Sequence, residues 1–148
     1  MNGNETIFRV RAIILDGDKI LLVKHKGNDF YALPGGKVDP GERSKTAIKR
    51  ELFEELGVEA EIGKMLFVHE FSYEKNRFGE TGEKNNIEFF FEVKNGKDFI
   101  GGVGDFAEIE LDDIKWFTIS EIGGLKPAFL KEKLLEGLEK IKDNFYSY

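Results

Sequence analysis

The chain has 148 residues, which is one domain's worth and enough to bury a single sizeable core, so one domain over residues 1–148 is expected. Hydrophobic residues at 41% and charged residues at 34% describe a globular chain and exclude a disordered one. A formal net charge of -6 argues against general, sequence-independent nucleic-acid binding, and the absence of Cys removes disulfides, a thiol nucleophile and a cysteine zinc site. Met1–Glu5 is not a basic segment leading into a long apolar one, and no apolar run approaches the ~18 residues of a membrane span. Neither signal peptide nor membrane span is therefore expected, and the default location is cytoplasmic.

Ile7 to Leu15 alternates as a strand, with Phe8, Val10, Ala12 and Ile14 on one face and Arg9 and Arg11 on the other. Asp16-Gly17-Asp18 supplies a turn, and Lys19 to Lys24 returns as a second strand. Lys26 to Asp29 is a loop, and Phe30 to Leu33 reads as a short apolar strand ending at Pro34-Gly35-Gly36. Paired glycines there let the backbone pass close to a ligand.

Gly35, Gly36, Pro40 and Gly41 then punctuate a loop. Ser44 stands where an N-cap would and Gly57 where a helix terminates, which predicts a helix of about three turns over Lys45–Leu56. At about 100 degrees per residue, Glu51, Glu54 and Glu55 share one sector beside a core stripe of Ala47, Ile48, Leu52 and Leu56. Three neighbouring carboxylates repel one another, and only Arg50, four residues before Glu54, offers local relief. Hard oxygen donors on one rigid element suit Mg²⁺ or Mn²⁺ completed by substrate phosphates; the plainer alternative is a solvated acidic face.

Gly36, Glu42 and the run Arg50-Glu51-Leu52-Phe53-Glu54-Glu55-Leu56-Gly57-Val58, at this spacing, resemble the Nudix box at every defining position. A looser likeness in the order of elements, with Leu33-Pro34-Gly35-Gly36 before the box and Trp116-Phe117 late in the chain, extends over most of the remainder. The resemblance to Nudix hydrolases implies an α/β/α sandwich with a mixed β-sheet, where composition alone gives only a mixed α/β domain. It implies a metal-dependent hydrolase cleaving the pyrophosphate linkage of a nucleoside diphosphate joined to another moiety. By the same resemblance Glu51, Glu54 and Glu55 hold Mg²⁺ or Mn²⁺, a carbonyl of the Gly35-Gly36 pair (Gly35 the closer match) adds a ligand, and Arg50 and Glu42 orient that shell. Arg11 is expected to reach the substrate phosphates, although either strand arginine alone is also an ordinary solvated residue. Lys37 is a second phosphate candidate and equally a plain surface lysine. The partner is a small-molecule nucleotide diphosphate derivative, and a homodimer is left open. The rival from another class is a Nudix-fold nucleotide-binding or regulatory module without catalysis, against which the complete set of glutamates argues.

After the box, Glu59 to Tyr73 reads as a strand with an irregular start, and Glu74 to Asn86 as a polar loop facing substrate, with Phe78 placed to stack on a base or to pack the loop down. Ile87 to Val93, carrying Phe89-Phe90-Phe91, reads as a strand buried on both faces. Asn95-Gly96 and Gly101 to Gly104 are bends. Phe106 to Phe117 carries Glu108, Glu110, Asp112 and Asp113; the family often adds a ligand or base here, and Glu110, then Glu108, are the choices. Pro127 opens a final helix to about Lys142 with Phe129, Leu130, Leu134, Leu135, Leu138 and Ile141 on its buried stripe. His25 and His69 are expected to be structural. The proline often found about 15 residues after the box in ADP-ribose-type members is absent, while Tyr73 lies near a tyrosine position of diadenosine polyphosphate hydrolases. These cues do not fix a substrate.

Overall fold

A computed structural model describes residues 4–77, 80–99, 111–125, 129–137 and 145–147. Its elements in order are β1 (Glu5–Ile13), β2 (Leu15–Asp16), β3 (Lys19–His25), β4 (Gly35–Lys37), α1 (Ser44–Leu56), β5 (Ile62–Arg77), β6 (Glu80–Val93), β7 (Leu111–Thr118), α2 (Leu130–Glu136) and β8 (Phe145–Ser147). Short 3-10 turns occupy Gly96–Asp98 and Ile119–Glu121.

The larger sheet has the order β4-β1-β6-β5-β8 and is mixed: β1 runs parallel to β6 and β5 to β8, while the β1/β4 and β5/β6 pairs are antiparallel. The smaller sheet, β2-β3-β7, is antiparallel. Strand alternation sends neighbouring residues to opposite faces and so builds two cores. Val10 and Ala12 of β1, Leu21 and Val23 of β3 and Phe91 of β6 pack with Ala47, Ile48 and Leu52 of α1. Ile13, Ile20, Leu22, Phe67 and Phe90 pack with Leu130 and Leu134 of α2. The helices thus lie on opposite sides of the sheets, which is the expected α/β/α layering. Leu52 is fully buried, so truncating it to Ala would cost about 2–5 kcal/mol.

Several local expectations are corrected. The first strand stops at Ile13, and Phe30–Leu33 forms a single bridge, Ala32 with Val23, before Pro34 ends it. The strand lies one step later, where Gly35–Lys37 pairs with β1. Gly35 makes that pairing feasible: it sits at φ 147°, and a Cβ there would stand 1.9 Å from the Val10 carbonyl oxygen. Helix α1 starts at Ser44 itself, with Arg43 in extended conformation at the N-cap and no side-chain capping bond, whereas Gly57 closes it at φ 70° as predicted.

The largest difference falls in the expected loop over 74–86, of which residues 74–77 and 80–86 are strand. β5 and β6 continue as the arms of a hairpin out to the pair Arg77–Glu80. Main-chain pairing and cross-strand bonds such as Ser72 Oγ to Asn85 Oδ1 at 2.9 Å suffice for polar strands, and hydrophobic alternation is a poor guide to them. Phe78 lies outside the described residues, as do Gly101 to Gly104, Glu108 and Glu110. Of the final helix, Pro127, Leu138 and Ile141 also lie outside them; within it Leu130 and Leu134 are buried but Leu135 is 56% exposed and leaves the stripe.

Candidate active site

Arg50 organises the loop and helix of the box. Its Nε and Nη2 donate to the two oxygens of Glu42 at 2.8 and 2.9 Å, a bidentate pair. Nη1 donates to Glu51 Oε1 and to Glu54 Oε2, each at 3.1 Å, and Nη2 also reaches the Lys37 carbonyl at 3.2 Å. Asp39 adds a carboxylate at 3.5 Å. One guanidinium thus fastens the loop to the helix and offsets the repulsion within the acidic sector. The bond from Arg50, helped by the main-chain N–H of Asp39, holds the Glu42 carboxyl down at about 2.

Glu51 points inward against β4. An added Cβ at Gly36 would lie 2.5–2.7 Å from its carboxylate, so the absence of a side chain at Gly36 is what admits Glu51. The Glu51 side chain is only 16% exposed, and burial pushes its pKa up, although Arg50 and a hydrogen bond with Glu55 act in the opposite direction. Glu54 is 57% exposed at the rim. Among the described residues, no three His, Asp or Glu side chains are gathered tightly enough to hold an ion by themselves. The donors nevertheless fit a hard divalent cation: all are oxygens, one is a largely buried carboxylate, and Mg²⁺ normally takes only part of its shell from protein.

Beyond Gly36 the chain presents one face of the larger sheet. Arg9 is the cross-strand partner of Lys37. Two positions along β1, Arg11 Nε donates to Glu88 Oε2 at 2.9 Å and Nη1 to the Leu33 carbonyl at 3.3 Å. Arg9 Nε donates instead to the amide oxygen of Asn86 at 3.1 Å. His69 lies opposite Glu88 and Phe71 opposite Asn86, and Phe71 stacks on Tyr73 with centroids 6.3 Å apart. On β7, Asp113 accepts a short hydrogen bond from Tyr31 that holds the Asp113 carboxyl below its usual range.

Glu51, Glu54, Arg50 and Glu42 are therefore brought together with Gly36, and Glu55 joins them through Glu51. Lys37 stands on the adjoining edge strand. Arg11, expected to contact phosphate, has its guanidinium held by a carboxylate and a carbonyl, while Arg9 has only an amide among the described residues. Asn86 and Glu88 were not anticipated as site residues, because Asn86 reads as loop and Glu88 as part of a wholly buried strand. The signal was there in the polar, apolar, polar order of Asn86-Ile87-Glu88 leading into the phenylalanines.

A mixed sheet between helices, with an acidic loop and helix clamped by one arginine at its edge, defines the class; comparison with known proteins gives the family. Residues 6–141 match the profile described as NUDIX domain. A Bacillus subtilis protein that carries 8-oxo-dGTP diphosphatase as a provisional name is 40% identical over 106 residues, 72% of this chain but only 62% of the relative's length. The ADP-ribose pyrophosphatase of Methanocaldococcus jannaschii is 32% identical over 138 residues, covering 90% of this chain and 73% of that protein. Among solved structures, a UDP-X diphosphatase superposes with a TM-score of 0.64 at 25% identity, over 97% of this chain and 68% of the other. The chain belongs to the Nudix family.

Proposed function

We infer that the chain is a Nudix-type pyrophosphohydrolase that uses Mg²⁺ or Mn²⁺ to cleave a phosphoanhydride bond of a nucleoside diphosphate carrying a further nucleotide, sugar or phosphate. The observation that carries this is the Arg50 clamp, which holds Glu51 and Glu54 of one helix and Glu42 of the preceding loop beside a glycine edge strand with a cationic sheet face adjoining. The relatives' names, an ADP-ribose pyrophosphatase among them, agree in bond type and differ in substrate.

Glu51, Glu54 and Glu55 would hold the ion, with a main-chain carbonyl at Gly35 or Gly36. A divalent cation bound there supplies charge neutralisation of the diphosphate and a more acidic attacking water. Glu42 and Arg50 fix the rotamers of the ligand carboxylates. Glu51, whose burial favours its protonated form, is the described group best suited to accept the water's proton; Glu110 keeps that role as a candidate outside the described residues. Lys37 and a β1 arginine bind and orient the phosphates. Small nucleotide derivatives of this kind are cytoplasmic metabolites, so we place the protein in that compartment. Among the described residues no helix is long and apolar enough to cross a membrane.

The test is a panel of nucleoside triphosphates, dinucleoside polyphosphates, nucleotide sugars and ADP-ribose with Mg²⁺, following both phosphorylated products. Turnover of at least one compound that stops with chelator is expected. Binding without turnover across the panel would favour the non-catalytic module.

A further inference from the structure

We propose that Asn86 is a positioning residue that presents Arg9 as a phosphate-binding cation of this site, gripping it through a neutral oxygen so that its charge stays available to an anion. This rests on the inference that the substrate carries a diphosphate, and it adds which cation meets it and what holds that cation in place.

The two arginines of β1 point to the same sheet face and are treated differently. Arg11 is matched by a carboxylate, Glu88, in a pair whose side chains are 19% and 10% exposed. Arg9 receives an amide oxygen at the same kind of distance. Among the described residues the acidic groups whose fields reach Arg9 are Glu88, Tyr73 and Glu51, and each of the two carboxylates is already hydrogen-bonded to another arginine, Glu88 to Arg11 and Glu51 to Arg50. Directly across the strand pair stands Lys37, and like charges opposite one another destabilise a sheet. Burial and the neighbouring Arg11 both lower the pKa of Arg9, the signature of a cation partly removed from water without full compensation.

Asn86 itself is 1% exposed, and its amide Nδ2 has no hydrogen-bond partner among the described residues. A buried donor left unmatched is a cost to the fold. An aspartate of the same shape would remove that N–H and give Arg9 an ion pair, so stability alone favours aspartate at this position. An amide that gives up both advantages leaves a half-buried guanidinium seeking an anion. The rung on which it sits is tied to the catalytic loop, because the Lys37 carbonyl accepts from Arg50. A phosphate held between Arg9 and Lys37 therefore lies at the same edge strand that Glu51 packs against, on the opposite face and one rung along from Gly36.

The isosteric change Asn86→Asp tests this on the full chain, with non-hydrolysable imidodiphosphate and Mg²⁺ as the calorimetric probe. The variant is expected to melt at or above the wild-type temperature yet to bind the probe roughly tenfold more weakly, because Arg9 becomes neutralised. On the best substrate from the panel, KM should rise by a similar factor while kcat changes less. Arg9→Ala should weaken the probe comparably, and Asn86→Asp added to Arg9→Ala should have little further effect. Probe affinity within twofold of wild type in Asn86→Asp, absence of probe binding by the wild type, or a full effect of Asn86→Asp in the Arg9→Ala background would each overturn the proposal. The two inferences fail separately. Hydrolysis with unchanged KM in Asn86→Asp removes only the role of Asn86, whereas no hydrolysis with the Arg9-dependent loss of probe binding intact removes the hydrolase and leaves the anion site.

Discussion

Arg50 and Arg9 show two ways in which this fold uses a guanidinium. Arg50 lies among carboxylates, bonded to Glu42, Glu51 and Glu54, and serves to build: it locks a loop to a helix and keeps those carboxylates aimed. Arg9 faces an amide, with a lysine across the strand pair, and has charge left over. The first arrangement suits a place where a cation must be received, the second a place where an anion must be. A diphosphate in complex with a divalent ion needs both, side by side, and β4 is the shared wall.

The strongest break in this comparison comes at the carboxylates. Glu54→Gln and Glu55→Gln should each lower kcat by roughly a hundredfold or more while the far-ultraviolet spectrum stays unchanged, since each removes a ligand charge rather than a packing group. Near-normal turnover in both would move the reaction away from the box.

Arg50→Ala should be next in size and different in kind. With the clamp gone, Glu42 and Glu51 face each other's field partly desolvated, so both the melting temperature and kcat should fall, the former by roughly several degrees. Arg9→Ala is the contrasting case: KM is expected to rise about tenfold while the melting temperature falls less than in Arg50→Ala, because an amide oxygen and no carboxylate loses its partner. A large loss of stability in Arg9→Ala, equal to that of Arg50→Ala, would erase the distinction between the two.

How much of this could be read from the sequence follows the same division. The clamp joins residues 1 to 13 apart along the chain, within one loop and helix, so motif spacing and helical periodicity were enough to place it. Arg9 with Asn86 and Arg11 with Glu88 are each 77 residues apart and meet only because β1 runs parallel to β6. No local pattern announces a parallel partner. The hairpin arms are illegible in the sequence for a related reason: their polar residues are held by main-chain ladders, which leave no hydrophobic period to detect. Asp113 accepts from Tyr31 across 82 positions, another contact invisible to spacing.

The smallest expected effect is on acid stability. Glu42 ionises at about 2 in the fold against an ordinary 4.5, so its contribution is present above 4.5 and is lost as pH falls through that window toward 2. Denaturation midpoints measured from pH 6 downward should therefore drop less steeply for Glu42→Gln than for wild type. Parallel curves would mean that Arg50 does not hold Glu42 as described.

The central claim, that the box glutamates receive a divalent ion which the reaction requires, is most directly tested by titrating Mg²⁺ into metal-free enzyme while following turnover of the best substrate, for wild type and for the Glu54→Gln, Glu55→Gln double variant. Wild-type turnover should rise from near zero to a plateau, and the double variant should remain near zero at every concentration that saturates wild type, with its melting curve showing an intact fold. Full turnover in chelator by the wild type, or a wild-type titration curve from the double variant, would contradict the account.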